Sequence, residues 1–117
     1  MSHVGMPAGL HLEAVGREIQ EAFGHMPYLV GSAVRSKEWR DVDVRLILPD
    51  EEFDAMFPGI TRVMWADPRW ALICAGISEL AKARTGLPVD FQIQPQRWAD
   101  EYEGPRHPLG VRFEARR

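Results

Sequence analysis

Two segments of the chain, residues 41–48 and 89–94, alternate between apolar and polar residues. A period of two predicts β-strands that bury one face and leave the other face polar. The polar positions include three acids: Asp41, Asp43 and Asp90. An acid lowers the β-propensity of a strand and is costly to bury. Three acids in such positions therefore indicate that the polar face of the sheet has a function.

The rest of the chain supplies helices that can cover the apolar face. Helical spacing of apolar residues predicts a helix over 11–23, ended by Gly24, and a second helix that starts at Asp67-Pro68 and ends at Gly86. Three shorter elements are also expected: a strand at 28–30, a short helix capped by Asp50, and a last strand near 109–113.

This order of elements predicts an α/β (α+β) fold, a two-layer sandwich with a mixed sheet. One sheet face is covered by helices, and the open face carries the aspartates. The length of 117 residues suits a single domain. Within it we expect a flexible arm over 1–10 and assign no structure to the tail over 95–117.

Composition excludes several classes of protein. The only cysteine is Cys74, expected in the core, so an intrachain disulfide and a cysteine-based metal site are excluded. The net charge of −3 argues against broad affinity for nucleic-acid backbones. We find no apolar run long enough to span a bilayer and no signal-peptide pattern, so a cytoplasmic protein is expected.

The three aspartates suit a divalent cation. Asp41 and Asp43 point the same way on one strand, and Asp90 joins them if the two strands are neighbours. Carboxylate oxygens without histidine or cysteine favour Mg²⁺ or Mn²⁺ over zinc. Such a site suits in-line transfer at phosphorus, in which the acid farthest from the triphosphate can also accept the proton of the attacking hydroxyl.

The turn before the first acid pair offers groups that bind phosphate. Gly31 lets the backbone approach a phosphate closely, and Ser32 can donate its hydroxyl. Arg35, about one helical turn further on, can reach the same phosphates. Arg45 lies on the acidic face, where it can bind phosphate or pair with Asp43 or Asp90.

At these residues the chain resembles the polymerase-beta-type nucleotidyltransferase superfamily. The similarity is carried by an apolar strand, Gly31-Ser32, a spacer, Asp41-Val-Asp43 and the later strand acid Asp90. It is greatest to the minimal bacterial and archaeal members, which are often paired with a helical partner in toxin–antitoxin modules. The resemblance covers residues from about 12 to 94, with local identity confined to 28–48 and 89–93.

The resemblance implies a fold, a cofactor and an activity. It assigns metal binding to Asp41, Asp43 and Asp90, and phosphate contacts to Gly31 and Ser32. It implies Mg²⁺ and a nucleoside triphosphate, from which the nucleoside monophosphate passes to a hydroxyl of a protein, an RNA end or a small molecule, with release of pyrophosphate. A homodimer mate or a helical partner protein could supply part of the acceptor site.

The sequence departs from the family pattern beside the motif. Ala33, Ser36 and Arg40 stand where a larger residue, a glycine and a small polar residue are frequent. These departures affect donor preference and loop shape more than the metal site.

Two other functions remain open. The first is a catalytically weak or inactive protein of the same fold that acts in binding or regulation, as an antitoxin does. The second is a metal-dependent nuclease, which leaves the Gly-Ser turn unexplained and lacks the lysine often found near such acids.

Overall fold

In a computed structural model of the chain, the described residues are 4–31, 34, 41–60 and 67–110. They form a mixed α+β structure of four helices and four strands. In chain order these are α1 (Ala8–Phe23), β1 (Tyr28–Val30), β2 (Val42–Leu48), α2 (Asp50–Met56), α3 (Pro68–Thr85), β3 (Val89–Pro95), α4 (Gln96–Ala99) and β4 (His107–Pro108).

The described strands form one mixed sheet in the order β3-β2-β1-β4. β1 runs antiparallel to both β2 and β4, whereas β2 and β3 are parallel and paired along their whole length. The two alternating segments of the sequence are therefore neighbours, as the placement of Asp90 beside the first acid pair required.

The two faces of the sheet differ as the alternation predicted. Every second residue of β2 and β3, from Val42 and from Val89, is buried, and the residues between them are at least partly exposed. The buried side chains join apolar residues of α1, α2 and α3 in one core. Burying a side chain of this size stabilises a fold by about 1.5–3 kcal/mol, so a slip of one residue in register is strongly disfavoured.

The long helix α3 fixes the position of β3. It begins as predicted, with Asp67 accepting hydrogen bonds from the amides of Arg69 and Trp70, and ends at Gly86. The Trp70 indole donates to the carbonyl of Ile93 at 2.9 Å. Ser78 accepts from the Phe91 amide at 2.9 Å. These side-chain contacts hold the strand that carries Asp90 against the helix.

Several expected boundaries are wrong. Ala8–Leu10 belong to α1 rather than to the arm predicted over 1–10. Asp50 is the first residue of α2 and not its cap; its carboxylate instead accepts from the Arg97 amide at 3.0 Å. The last described strand is β4, which precedes the strand expected near 109–113. Residues 111–113 and the ambiguous segment 61–66 lie outside the described residues.

A buried acid anchors the chain after β4. Glu13 of α1 is 6% exposed, and its carboxylate accepts from the Gly110 amide at 2.6 Å. His107 Nε2 lies 3.5 Å from the same carboxylate. Leu109, 2% exposed, packs into the core. These contacts place the C-terminal segment beside β1, next to the turn that contains Gly31.

Two predictions made from composition can be compared with the structure. Cys74 is buried in the core as expected, and burial raises the pKa of its thiol to about 11, which makes it a poor nucleophile. Among the described helices, none combines the length and apolarity that crossing a membrane requires.

Candidate functional site

Asp43 and Asp90 lie directly opposite each other on the polar face of the sheet. The parallel register pairs Asp43 of β2 with Asp90 of β3. Adjacent strands are about 4.8 Å apart, so two side chains at paired positions on one face are in reach of a common ligand. The two predicted ligands that fall within strands are thus brought together.

Arg45 lies between these two acids. Its guanidinium is 3.3 Å from Asp90 Oδ2 and 3.7 Å from Asp43 Oδ1, and it donates to the backbone carbonyl of Asp90 at 2.7 Å. Only 15% of the Arg45 side chain is exposed. The intramolecular pair, one of the two roles open to Arg45 from the sequence, is therefore present. The cation offsets the repulsion between two carboxylates held at paired positions.

The environment of Asp43 favours its protonated form. Partial burial raises the pKa of this carboxyl above its ordinary value of 3.8; Arg45 lowers it, and the charges of Asp90 and Asp41 raise it further. A carboxylate with a raised pKa is a better proton acceptor than a free aspartate. Asp43 is therefore suited to take a proton from a ligand hydroxyl.

Asp41 contributes to the site from outside the strand. β2 begins at Val42, so the predicted strand loses its first residue and Asp41 is exposed at the strand entrance. Its charge still acts on Asp43. Across the residues that the structure describes, no three His, Cys, Asp or Glu side chains are placed to hold one metal ion. The close pair consists of Asp43 and Asp90.

Gly31 directly follows β1 in a conformation that glycine adopts without strain. Its φ of 76° lies in the left-handed region, and a Cβ at this position would be 2.5 Å from Asp43 Oδ2. The turn continues with a hydrogen bond from the Val34 amide to the Gly31 carbonyl at 3.2 Å. The backbone of the predicted phosphate-binding turn thus lies against the Asp43 carboxylate. Ser32 and Arg35, also predicted to bind phosphate, lie outside the described residues.

A cleft of about 390 Å³ opens beside Asp43 on this face of the sheet. One wall is the sheet itself, including Gly31, Asp43, Arg45 and Gln94. The other wall comes from the segment 98–106. Its lining residues are Trp98, Ala99, Glu101, Tyr102 and Arg106. The open face predicted from the sequence is therefore bordered by the C-terminal segment.

Tyr102 joins the two walls of the cleft. Its hydroxyl accepts from the Gly31 amide at 3.2 Å and donates to the Pro105 carbonyl at 3.1 Å. Arg106 lies over the Tyr102 ring, with its guanidinium carbon 5.5 Å from the ring centroid. This distance is typical of a cation–π contact.

The residues of this second wall were not predicted as site residues. Trp98 is expected from the sequence only in the core or an interface, and Tyr102 and Arg106 have no role assigned. The sequence feature that could have indicated this wall is the pair of aromatic residues and the arginine just after the second acid-bearing strand. Sequence alone did not show that the chain folds back onto the sheet after Pro95.

No protein-family model, curated protein or solved structure matches the chain. The chemistry of the cleft is therefore the basis for inferring what the protein does. The cleft combines Asp43 with its Arg45 partner, a close backbone turn at Gly31, and a wall with aromatic rings and a second cation, Arg106. Asp90 pairs with Arg45 beside the cleft and does not line it.

Proposed function

We propose that the protein is a metal-dependent nucleotidyltransferase with a minimal polymerase-beta-like fold. It transfers a nucleoside monophosphate from a nucleoside triphosphate to a hydroxyl. The observation that carries the proposal is the register of Asp43 against Asp90, with the backbone of Gly31 packed on the Asp43 carboxylate. The order of the motifs in the sequence, Gly31-Ser32 before Asp41-Val-Asp43 before Asp90, supports the same assignment.

The donor set fits Mg²⁺ or Mn²⁺. Mg²⁺ is commonly bound by one or two carboxylates together with substrate phosphates and water, rather than by a cage of protein ligands. Asp43 and Asp90 supply two carboxylates, already placed around the positive charge of Arg45, and Asp41 stands just before β2. Asp43 and Asp90 would hold the ion, and Asp41 would add negative charge beside them. When bound, it neutralises charge on the triphosphate and lowers the pKa of the acceptor hydroxyl.

Asp43 then acts as the proton acceptor. The acceptor oxygen attacks the α-phosphorus, a new phosphorus–oxygen bond forms, and the bond to the leaving pyrophosphate breaks. The proton of the acceptor hydroxyl passes to the Asp43 carboxylate, which lies on the cleft wall. The Gly31 backbone lies against the Asp43 carboxylate, and the absence of a side chain there would let a phosphate approach the same wall of the cleft. Arg45 keeps the two acids together until the nucleotide binds.

The acceptor is a hydroxyl of a protein, an RNA end or a small molecule. A second copy of the chain or a helical partner protein would complete the acceptor site. We place the protein with the minimal enzymes of toxin–antitoxin modules on the strength of the sequence resemblance.

Transfer of label tests the proposal. The protein is incubated with each of four α-³²P-labelled triphosphates, Mg²⁺ and cell extract, and transfer to protein, RNA and small molecules is followed. We expect label transfer that Asp43→Asn and Asp90→Asn reduce by roughly 100-fold or more. Asp54→Asn is the matched control, because Asp54 pairs with Arg97 on the outer surface. Equal transfer by Asp43→Asn and wild type would reject the proposal.

One observation favours a second candidate, a regulatory protein of the same fold that transfers nothing. Arg45 contacts both acids, and a cation fixed there can replace the metal permanently. The two candidates differ in the effect of Mn²⁺ with a nucleoside triphosphate on thermal unfolding. The enzyme is stabilised, and the joint change Asp41→Ala/Asp43→Ala removes the stabilisation; the regulatory protein gives no shift in either form.

A further inference from the structure

The cleft contains two arginines whose charges are used differently. Its charged lining residues are Asp43, Arg45, Glu101 and Arg106. Arg45 is committed to Asp43 and Asp90. Among the described residues, no carboxylate lies within ion-pair distance of Arg106, which is exposed and lines the cleft. Within the described lining, Arg106 is therefore the cation available to an anionic ligand.

Arg106 is nevertheless held in place. It donates to the Ala99 carbonyl at 2.5 Å, and its guanidinium lies over the ring of Tyr102. An arginine has five N–H donors in a planar fork, so a bond to one carbonyl leaves donors at its other edges. A fixed arginine loses less side-chain entropy when it binds a ligand than a mobile surface arginine does.

The Tyr102 hydroxyl sets where this arginine stands relative to the acids. It accepts from the Gly31 amide, and the α-carbon of Gly31 faces the Asp43 carboxylate. The cationic wall and the acidic wall therefore meet at Gly31. A ligand that spans this meeting point must carry negative charge on one side and tolerate a carboxylate or its bound cation on the other.

We propose that Arg106 binds the phosphate chain of the nucleotide. The ligand class is a polyphosphate ester with a divalent cation, since its oxygens match the guanidinium fork and its cation matches the acids. This inference rests on the proposed function for the identity of the ligand. With Arg106 in this role, the main phosphate contact lies in the C-terminal segment rather than near the Gly-Ser turn. This segment is outside the stretch that resembles the family.

Calorimetric binding of Mg²⁺–tripolyphosphate and of Mg²⁺–ATP tests this role. We expect Arg106→Gln to raise Kd for both ligands roughly tenfold, the effect of losing charge-assisted hydrogen bonds. Arg106→Lys keeps the charge but not the planar fork, and we expect an intermediate Kd. Arg84→Gln is the control, because Arg84 is an exposed arginine of α3 that pairs with Glu18 far from the cleft lining. Unfolding temperatures of all variants check that the fold is retained.

The outcomes separate this inference from the proposed function. If wild type binds both ligands and Arg106→Gln binds them equally well, the inference is overturned while nucleotide transfer can still be correct. If Arg106→Gln weakens binding and Arg84→Gln does not, but wild type transfers no nucleotide to any acceptor, the inference stands and the enzyme assignment fails. Absence of binding to wild type overturns the role of Arg106 as well.

Discussion

The α-carbon of Gly31 faces the carboxylate of Asp43 so closely that a Cβ at position 31 would lie 2.5 Å from Oδ2. The Gly-Ser turn and the Asp-x-Asp strand are thus in direct contact in the fold. Glycine at position 31 serves two needs, since its φ of 76° also disfavours any side chain. The close contact concerns the site and the left-handed φ concerns stability, so substitution can separate the two.

Gly31→Ala and Gly24→Ala make a matched pair. Both glycines have a left-handed φ, of 76° and 78°, but nothing lies within 4 Å of a Cβ built at Gly24. We expect each change to lower the free energy of unfolding by about 1–2 kcal/mol through backbone strain. Only Gly31→Ala displaces the Asp43 carboxylate, so only that variant loses binding of Mn²⁺ with ATP. Urea denaturation and calorimetry measure the two effects, and equal Mn²⁺ binding by both variants would contradict the close contact.

Asp43→Asn is expected to stabilise the fold at neutral pH. Because burial raises the pKa of Asp43 above 3.8, the folded chain retains this proton to a higher pH than the unfolded chain does. The contribution of Asp43 to stability therefore falls as pH rises from 3.8 through the raised pKa. The gain from asparagine should be present at neutral pH and disappear as pH falls below 3.8. Thermal unfolding of both proteins across this range measures it, and a gain that increases toward acid would show that the sign is wrong.

The Tyr102 hydroxyl is expected to stabilise the join between the two walls of the cleft. Tyr102→Phe removes the acceptor of the Gly31 amide and the donor to Pro105. We expect a loss of about 1 kcal/mol in unfolding free energy, together with weaker nucleotide binding because Arg106 is less well placed. Tyr28→Phe is the control, since Tyr28 is the other tyrosine of the chain and does not line the cleft, although Arg106 lines both the cleft and the pocket beside Tyr28. Equal losses of stability and of nucleotide binding in both variants would contradict a specific role for the Tyr102 hydroxyl.

Glu13 is expected to anchor the C-terminal segment through its carboxylate oxygens. Glu13→Ala leaves the buried Gly110 amide without its acceptor and should cost about 2–3 kcal/mol of stability. Glu13→Gln keeps an acceptor oxygen and loses the charge near His107, so we expect a smaller loss of about 1 kcal/mol. Chemical denaturation measures both changes. A loss as large for glutamine as for alanine would mean that the charge, rather than the hydrogen bond to Gly110, is what holds the segment.

The strands that carry the acids could be predicted because their pattern depends on local sequence. The alternation from Val42 and from Val89 defines which face is buried, whatever the order of the strands. The helix stops at Gly24 and Gly86 were also predictable, since a left-handed residue closes each helix. These features need no knowledge of distant contacts.

The second wall of the cleft depends on distant contacts and could not be predicted. Tyr102 bonds to Gly31, 71 residues earlier in the chain, and Gly110 bonds to Glu13, 97 residues earlier. No spacing within the segment 95–110 encodes these partners. From the sequence, Arg45 could bind phosphate or pair with a neighbouring acid. In the structure, the parallel register of Asp43 with Asp90 places Arg45 in an ion pair.

Binding of Mn²⁺ in the presence of a non-hydrolysable ATP analogue tests the central claim most directly. Electron paramagnetic resonance counts the free ion, so the affinity and the number of bound ions are both obtained. We predict that wild type binds Mn²⁺ with the nucleotide, that Asp43→Asn and Asp90→Asn each weaken this binding by about tenfold or more, and that Asp54→Asn leaves it unchanged. Mn²⁺ binding that is the same in wild type, Asp43→Asn and Asp90→Asn would contradict the assignment of this acid pair to a metal and a nucleotide.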